Sequence, residues 1–242
     1  MKLSAPLFRL KRQASQLARD EGLARHQALD RIARREGFRS WSHLAERAAK
    51  QSPAARLLDQ LSPGDLVLLG ARPGEGKTLL GLDLAARAAG QGRPSFFFTL
   101  EYSEEQLLAL LGAAGCSSAA SHRGLVRDTS DEISADYIAQ RLESAGARSL
   151  AVVEYLQLLD QKRSHPALDE QLRRLKALAL SSGCILVMIS QIDRSFDSRA
   201  GDSRAGKLPS LGDVRLPNPA DLSLFTKTCF LQDGTISLET AA

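Results

Sequence analysis

Between Leu69 and Ala85 the chain reads "LGARPGEGKTLLGLDLA": an apolar run, a loop holding Pro73, Gly74 and Gly76, and then a run of helix formers. A buried strand that breaks at glycines and restarts at once as a helix is the opening of a strand–helix–strand unit, and such units build parallel sheets. The octet Ala71-Arg72-Pro73-Gly74-Glu75-Gly76-Lys77-Thr78 fits a phosphate-binding loop with Ala in place of the first glycine. Glycine lets the backbone close on an anion, and the N–H groups from Gly74 to Thr78 lie at a helix N-terminus, where the helix dipole favours negative charge. The predicted phosphate contacts are Arg72, Pro73, Gly74, Glu75, Gly76, Lys77, Thr78 and Leu79. Lys77 is expected to bridge the β- and γ-phosphates, and the Thr78 hydroxyl to take a place on Mg²⁺.

From Leu61 onward continuous apolar runs alternate with amphipathic ones. "DLVLLG", "PSFFFTLE", "SLAVVEYLQLL" and "CILVMISQ" read as buried strands, and "SEEQLLALLGAAG", "SADYIAQRLESAG" and "ALDEQLRRLKALALSSG" read as helices. That alternation predicts an α/β domain over residues 61–242, with a mostly parallel sheet covered by helices on both faces. No apolar run is long enough to cross a bilayer, and "MKLSAPLFRLKRQ" lacks the continuous apolar core of a secretory signal, so a cytoplasmic protein with no membrane partner is expected. Cys116, Cys184 and Cys229 are odd in number and lack metal-ligand spacing, which predicts reduced thiols.

Residues 1–50 have a different character. Leu7, Leu10, Ala14, Leu17 and Ala18 share one helical face; Ala28, Leu29, Ile32 and Ala33 make a second that stops at Gly37; Ser40 caps a third helix that turns Trp41, Leu44 and Ala48 inward. This predicts a small three-helix module, followed by a joint or short helix over residues 51–60. The module holds 12 Lys and Arg against 5 Asp and Glu, whereas the other 192 residues hold 20 against 23. A basic end of this kind suits a polyanion or an acidic partner surface, and equally a solvated helical face. Its partner is unidentified at this level.

Three further polar groups close apolar strands. Glu101 follows "FFFTL", Glu154 ends "LAVV", and Gln191 ends "CILVMIS". In an open parallel sheet ligands bind at the carboxyl ends of the strands. Glu101 there can orient a water if its strand neighbours that of the phosphate loop, Glu154 can hold Mg²⁺, and Gln191 can sense the γ-phosphate. Past Gln191 runs "DRSFDSRAGDSRAGKLPSLGDVR", whose Gly, Ser and charge content fits a mobile loop. Its Arg194, Arg199, Arg204, Lys207 and Arg215 are candidates for contact with a nucleic-acid backbone. Asp193, Asp197, Asp202 and Asp213 offset much of that charge, and Phe196 is the one aromatic there for stacking on a base.

Taken together, "GARPGEGKTLLGLDLA", "FFTLEYSEEQL", "VVEYLQLL", "LKALA" and "ISQIDRS…SLGDVR" resemble the ATPase domain of DnaB-type replicative helicases, within the RecA-like class of P-loop ATPases. The resemblance covers about residues 61–230. It implies a RecA-like core that hydrolyses ATP with Mg²⁺, acts on single-stranded DNA and self-associates, often as a ring of six with ATP at subunit boundaries. It implies that Lys77 and Thr78 bind phosphate and Mg²⁺, that Glu101 is the catalytic glutamate, Glu154 the Mg²⁺-side acid, and Gln191 the residue coupling nucleotide state to DNA.

The chain also departs from that pattern. Glu154 stands where the family usually has Asp, the family's late Lys-x-Arg has no counterpart, and the basic module replaces the usual N-terminal domain. No arginine follows Arg215 in this sequence, which leaves Lys227 as the late basic residue by position for a trans-acting role. Besides a DnaB-like helicase or translocase, the residues allow a RecA-like ATPase switch that controls assembly or partner binding without unwinding DNA. A small-molecule kinase is disfavoured, since no lid-like arginine cluster follows Glu154.

Overall fold

The computed structural model describes residues 3–5, 7–50, 52–114, 123–146, 148–160, 165–193, 196, 209–216, 218–232 and 234–240. Strands β1 (Leu66–Ala71), β2 (Ser95–Thr99), β3 (Leu125–Asp128), β4 (Leu150–Glu154), β5 (Ile185–Gln191), β6 (Lys227–Gln232) and β7 (Thr235–Thr240) form one sheet in the order β3-β2-β4-β5-β1-β6-β7. Strands β1 to β6 are parallel, and β7 closes the edge antiparallel to β6.

The continuous apolar runs are buried because both faces are covered. Alternate residues of one strand enter different cores: Phe97, Val152, Val187 and Ile189 pack on one side, and Phe96, Phe98, Val153, Leu186 and Met188 on the other. Helices α5 (Lys77–Gly90) and α6 (Glu104–Ala114) cover the first side, and α7 (Ala135–Glu143) and α8 (Leu168–Ser182) the second. Helix α5 lies close on the sheet at Gly81, where a Cβ would stand 2.7 Å from Ile189 Cδ1 and 3.0 Å from Val152 Cγ1. Local chemistry sets the helix starts. Ser103 and Gln106 cap α6 reciprocally, the Gln106 N–H donating to Ser103 Oγ at 3.3 Å and the Ser103 N–H to Gln106 Oε1 at 2.8 Å.

Two features differ from the sequence reading, and one alternative left open there is resolved. The run "SLAVVEYLQLL" is a strand only as far as Glu154; Leu156–Asp160 is a 3-10 turn opened by the Leu158 N–H donating to Tyr155 O at 2.8 Å. Leu156, Leu158 and Leu159 are still buried, so an apolar run alone did not reveal where the strand stopped. Strand β3 is only four residues long and lies on a sheet edge, too short for a periodic signal. Within residues 51–60, Pro53–Leu58 is helix α4, capped by Ser52 Oγ, which accepts from the Ala55 N–H at 3.0 Å; Ala54, Leu57 and Leu58 enter the same core as α5.

The first 50 residues form α1 (Leu7–Glu21), α2 (Arg25–Arg35) and α3 (Trp41–Lys50) around a core of their own, made of Leu10, Ala14, Ala28, Ile32, Ala33, Phe38 and Leu44. The module's acids hold it together. Asp30 Oδ1 accepts from the Trp41 N–H at 2.8 Å, Glu36 accepts from the Ser4 N–H at 2.8 Å, and Glu21 pairs with Arg31. No described helix is long and apolar enough to cross a membrane.

Candidate functional site

Register brings the strand ends together. Ala71 pairs with Gln191, Glu154 with Ile189, and Thr99 with Glu154, so the carboxyl ends of β1, β5, β4 and β2 form one continuous rim. The phosphate loop rises from β1 and turns into α5. Gly74 and Gly76 have φ of +83° and +87°, a left-handed region that side-chain-bearing residues avoid, and Gly76 is the N-cap of α5. Lys77 and Thr78 then begin the helix as buried residues under an exposed loop tip.

Strand β2 does not neighbour β1; β4 and β5 lie between them. The condition set on Glu101 from the sequence is therefore not met. Glu101 reaches the site by another route, because α5 crosses the sheet and carries Lys77 toward the ends of β4 and β2. Both carboxylates act on that lysine. Burial lowers the Lys77 pKa, opposed first by the charge of Glu154 and then by that of Glu101. Glu101 itself is exposed, and its N–H donates to Thr99 Oγ1 at 3.1 Å.

Glu154 is fully buried, with 0% exposure. Desolvation pushes its carboxyl up to about 7, against the Thr78 hydroxyl and the Lys77 charge, which favour the ionised form. The Thr78 hydroxyl donates to Glu154 Oε1, and Thr99 Oγ1 donates to Oε2 at 3.5 Å. A hydroxyl beside a buried carboxylate is a hard-oxygen donor pair of the kind Mg²⁺ takes when phosphates and waters complete its shell. No cluster of three or more His, Cys, Asp or Glu that could hold a metal occurs among the described residues. The set therefore fits a metal brought with a nucleotide.

Tyr155 was not singled out from the sequence, although it directly follows the acid that ends β4. Its ring lies under Lys77, with Nζ 5.0 Å from the ring centroid. Its pKa is raised, first by burial and then by the influence of Glu101.

Beyond Gln191 the chain returns across its own strand end. Ile192 bridges Val214, the Arg215 N–H donates to Gln191 O at 2.8 Å, and Gln157 Nε2 donates to Arg215 O at 2.7 Å. Of the five candidate nucleic-acid contacts, Arg215 is placed here with its side chain exposed; Arg194, Arg199, Arg204 and Lys207 lie outside the described residues, as does Cys116. Phe196 is not available for stacking on a base, because it is 5% exposed and packs against Ile192, Phe230 and Val214.

Lys227 is also corrected by the structure. It begins β6 opposite Val67, whereas the phosphate loop leaves β1 at Ala71, opposite Leu231. Four residues of strand, about 13 Å, separate the two ends. Its ammonium contacts Asp65 Oδ2 at 2.6 Å and donates to Gln60 O at 2.7 Å. A cation held in this way at the amino edge of the sheet is not the free group that a trans-acting role needs.

These features define a P-loop nucleotide-binding domain of RecA-like fold. Residues 55–120 match the family described as DnaB-like helicase C terminal domain. The chain is 30% identical over 186 residues to the replicative DNA helicase DnaB of Synechocystis sp., covering 64% of this chain and 21% of that protein. It is 27% identical over 192 residues to DnaB of Leifsonia xyli subsp. xyli, covering 66% and 40%. The chain thus spans well under half the length of these relatives. Among solved structures, a DnaB-like replicative helicase studied with primase superposes with a TM-score of 0.61 at 16% identity, covering 96% of this chain and 70% of that one. A KaiC-like protein from Pyrococcus horikoshii OT3 gives 0.51 at 17% identity, covering 76% and 84%. The resemblance to DnaB-type ATPase domains read from the motifs is borne out, and so is the RecA-like α/β fold.

Proposed function

We propose that this chain binds and hydrolyses ATP with Mg²⁺ and acts on single-stranded DNA as a self-associating, DnaB-like motor domain. The observation that supports this best is the rim itself: a phosphate loop, a buried acid touching Thr78, an exposed acid whose charge acts on Lys77, and a polar strand end paired with Ala71 where the loop begins. The loop N–H groups and Lys77 bind and orient the phosphates. Glu101, exposed to solvent beside them, is the group that accepts a proton from an attacking water. Thr78 and Glu154 would hold Mg²⁺, which when bound neutralises charge on the β- and γ-phosphate oxygens. Gln191 and Arg215, tied through a backbone bond, connect this rim to the loop proposed to meet DNA.

A second reading, a nucleotide switch that governs assembly or partner choice without unwinding, is favoured by the engagement of Lys227 with Asp65. It leaves the late hairpin without the free cation by which one subunit would accelerate hydrolysis in the next. An ATPase assay with and without single-stranded DNA, run beside size exclusion with a non-hydrolysable ATP analogue, separates the two. Stimulation by DNA together with nucleotide-dependent assembly supports the motor, and assembly with DNA-independent hydrolysis supports the switch. In the same assay Glu101→Gln should retain ATP binding and hydrolyse about 100-fold more slowly; hydrolysis at the wild-type rate would remove Glu101 from the reaction.

A further inference from the structure

We infer that Gln157 is a positioning residue: from the turn that follows Glu154 it holds the backbone of Arg215, and so sets where that cation meets a phosphate of single-stranded DNA. The inference rests on the proposed contact of Arg215 with DNA.

Arg215 is exposed, yet both polar groups of its backbone are bonded within the protein. Its N–H donates to Gln191 O at 2.8 Å, and its carbonyl accepts from Gln157 Nε2 at 2.7 Å. An exposed loop residue ordinarily leaves such groups to water, which satisfies them without ordering the chain. Beside it the two limbs pair as a short ladder, in which Ile192 bridges Val214 and the Asp193 N–H donates to Asp213 O at 2.7 Å. The Arg215 N–H belongs to that ladder. Its carbonyl is taken by a side chain from another strand end.

Gln157 is built to reach it. It stands three residues past Glu154 in the 3-10 turn Leu156–Asp160, between the buried Leu156 and Leu158. Those leucines, with the Leu158 N–H donating to Tyr155 O at 2.8 Å, fix the turn to the end of β4. The glutamine amide carries two N–H donors in a rigid fork. They meet Arg215 O at 2.7 Å and Ser190 Oγ at 3.3 Å, and Ser190 is a fully buried residue of β5 next to Gln191. One half-buried side chain thus ties together the turn after β4, the end of β5 and the returning limb.

The consequence lies in where ordering is done. Holding an arginine at a phosphate costs side-chain entropy, and a loose backbone beneath it adds a similar cost. With both backbone groups of Arg215 already bonded, the second cost is met in folding and not in binding. The anchors are also those of the nucleotide site: Gln191 pairs with Ala71 where the phosphate loop begins, and Glu154 accepts the Thr78 hydroxyl.

The test is binding of the full chain to a fluorescent oligo-dT, read by anisotropy across a series of salt concentrations with a non-hydrolysable ATP analogue present. Gln157→Met, Arg215→Ala and the double variant are compared with wild type. Methionine keeps the length and unbranched shape of glutamine but has no N–H to donate. Gln157→Met should weaken DNA binding by about 3- to 10-fold, the worth of one neutral hydrogen bond. The slope of log Kd against log salt should fall by about 0.7, the loss of one phosphate contact on a single strand. An uncharged side chain neutralises no phosphate, so that change of slope reports a displaced arginine and not a weakened fold. Arg215→Ala should lower the slope by the same amount, and adding Gln157→Met to it should change affinity by less than about 2-fold. A wild-type slope for Gln157→Met overturns the inference whatever the affinity, and so do single effects that multiply in the double variant. Fluorescent-nucleotide binding and cooperative thermal unfolding show that each variant is folded; if Gln157→Met is not, Gln157→Leu, likewise uncharged and without a donor, decides by the same readings. If wild type does not bind the oligonucleotide, or Arg215→Ala binds it with wild-type affinity and slope, the contact of Arg215 with DNA fails instead, and the inference falls with it for that separate reason.

Discussion

The two edges of the sheet each hold a lysine beside an acid, and they use the pair in opposite ways. At the amino edge Lys227 and Asp65 are 2.6 Å apart, and every neighbouring polar group completes the pair. The Ser62 N–H donates to Asp65 Oδ2 at 2.7 Å, the Thr226 hydroxyl to Oδ1 at 2.9 Å, and the ammonium itself to Gln60 O at 2.7 Å. At the carboxyl edge Lys77 rests on an aromatic ring, and Glu154 receives hydroxyls from Thr78 and Thr99 in place of a paired cation. Burial lowers the Lys77 pKa and pushes Glu154 up to about 7, so neither group is comfortable in its charged form. A satisfied pair holds a strand in register. An unsatisfied one is ready to bind an anion and a metal, and strongly perturbed groups gathered in this way mark functional sites.

The sharpest way to break this comparison is to remove each lysine. Lys77→Ala should lower ATP hydrolysis by about 10²- to 10³-fold and weaken nucleotide binding, while thermal unfolding stays close to wild type. Lys227→Ala should do the reverse: nucleotide binding by fluorescent analogue is kept, and chemical denaturation shows a loss of about 3 kcal/mol, because Asp65 is left largely buried without its cation. If Lys227→Ala keeps its stability and instead loses ATP hydrolysis on assembly, the structural reading of that lysine is overturned.

The acids differ in how they answer pH. The folded pKa of Glu154 stands above the ordinary glutamate value of 4.5, so its contribution to stability is fully present below that value and is lost as pH rises through about 7. Denaturation of the nucleotide-free protein should therefore show stability declining between about pH 5 and pH 8, by on the order of 2–3 kcal/mol. Glu154→Gln should flatten that decline; an unchanged slope would place its origin elsewhere. The smallest expected effect is that of the basic module, whose core shares no residue with those of the sheet. Deleting residues 1–50 should leave the Kd for ATP within about 2-fold, as additivity of distant sites requires, while association with DNA or protein weakens.

What could be read in advance follows the range of the forces involved. The phosphate loop was legible because its glycines, lysine and threonine are adjacent and its geometry is local; the positive φ at Gly74 and Gly76 is what those residues permit. The alternation of buried runs with amphipathic ones was legible too, since a parallel sheet covered on both faces leaves no polar face to its strands. The turn past Glu154 was hidden, because its leucines are as buried as those of the strand and the run read as strand throughout. Phe196 read as a free aromatic in a charged loop, yet it closes a small core with Ile192 and Phe230.

The sequence by itself determined which side chains stand at strand ends and the class of chemistry they allow, because those are properties of neighbours along the chain. Tertiary structure alone decided that β4 and β5 separate β2 from β1, that α5 carries Lys77 across the sheet toward Glu101, that the Tyr155 ring lies under Lys77, and that Lys227 faces Asp65 across 162 positions. Strand order and helix crossing are settled by which apolar faces pack together in three dimensions. Period and composition are nearly the same for every order that buries them, so the pattern along the chain does not choose among the orders.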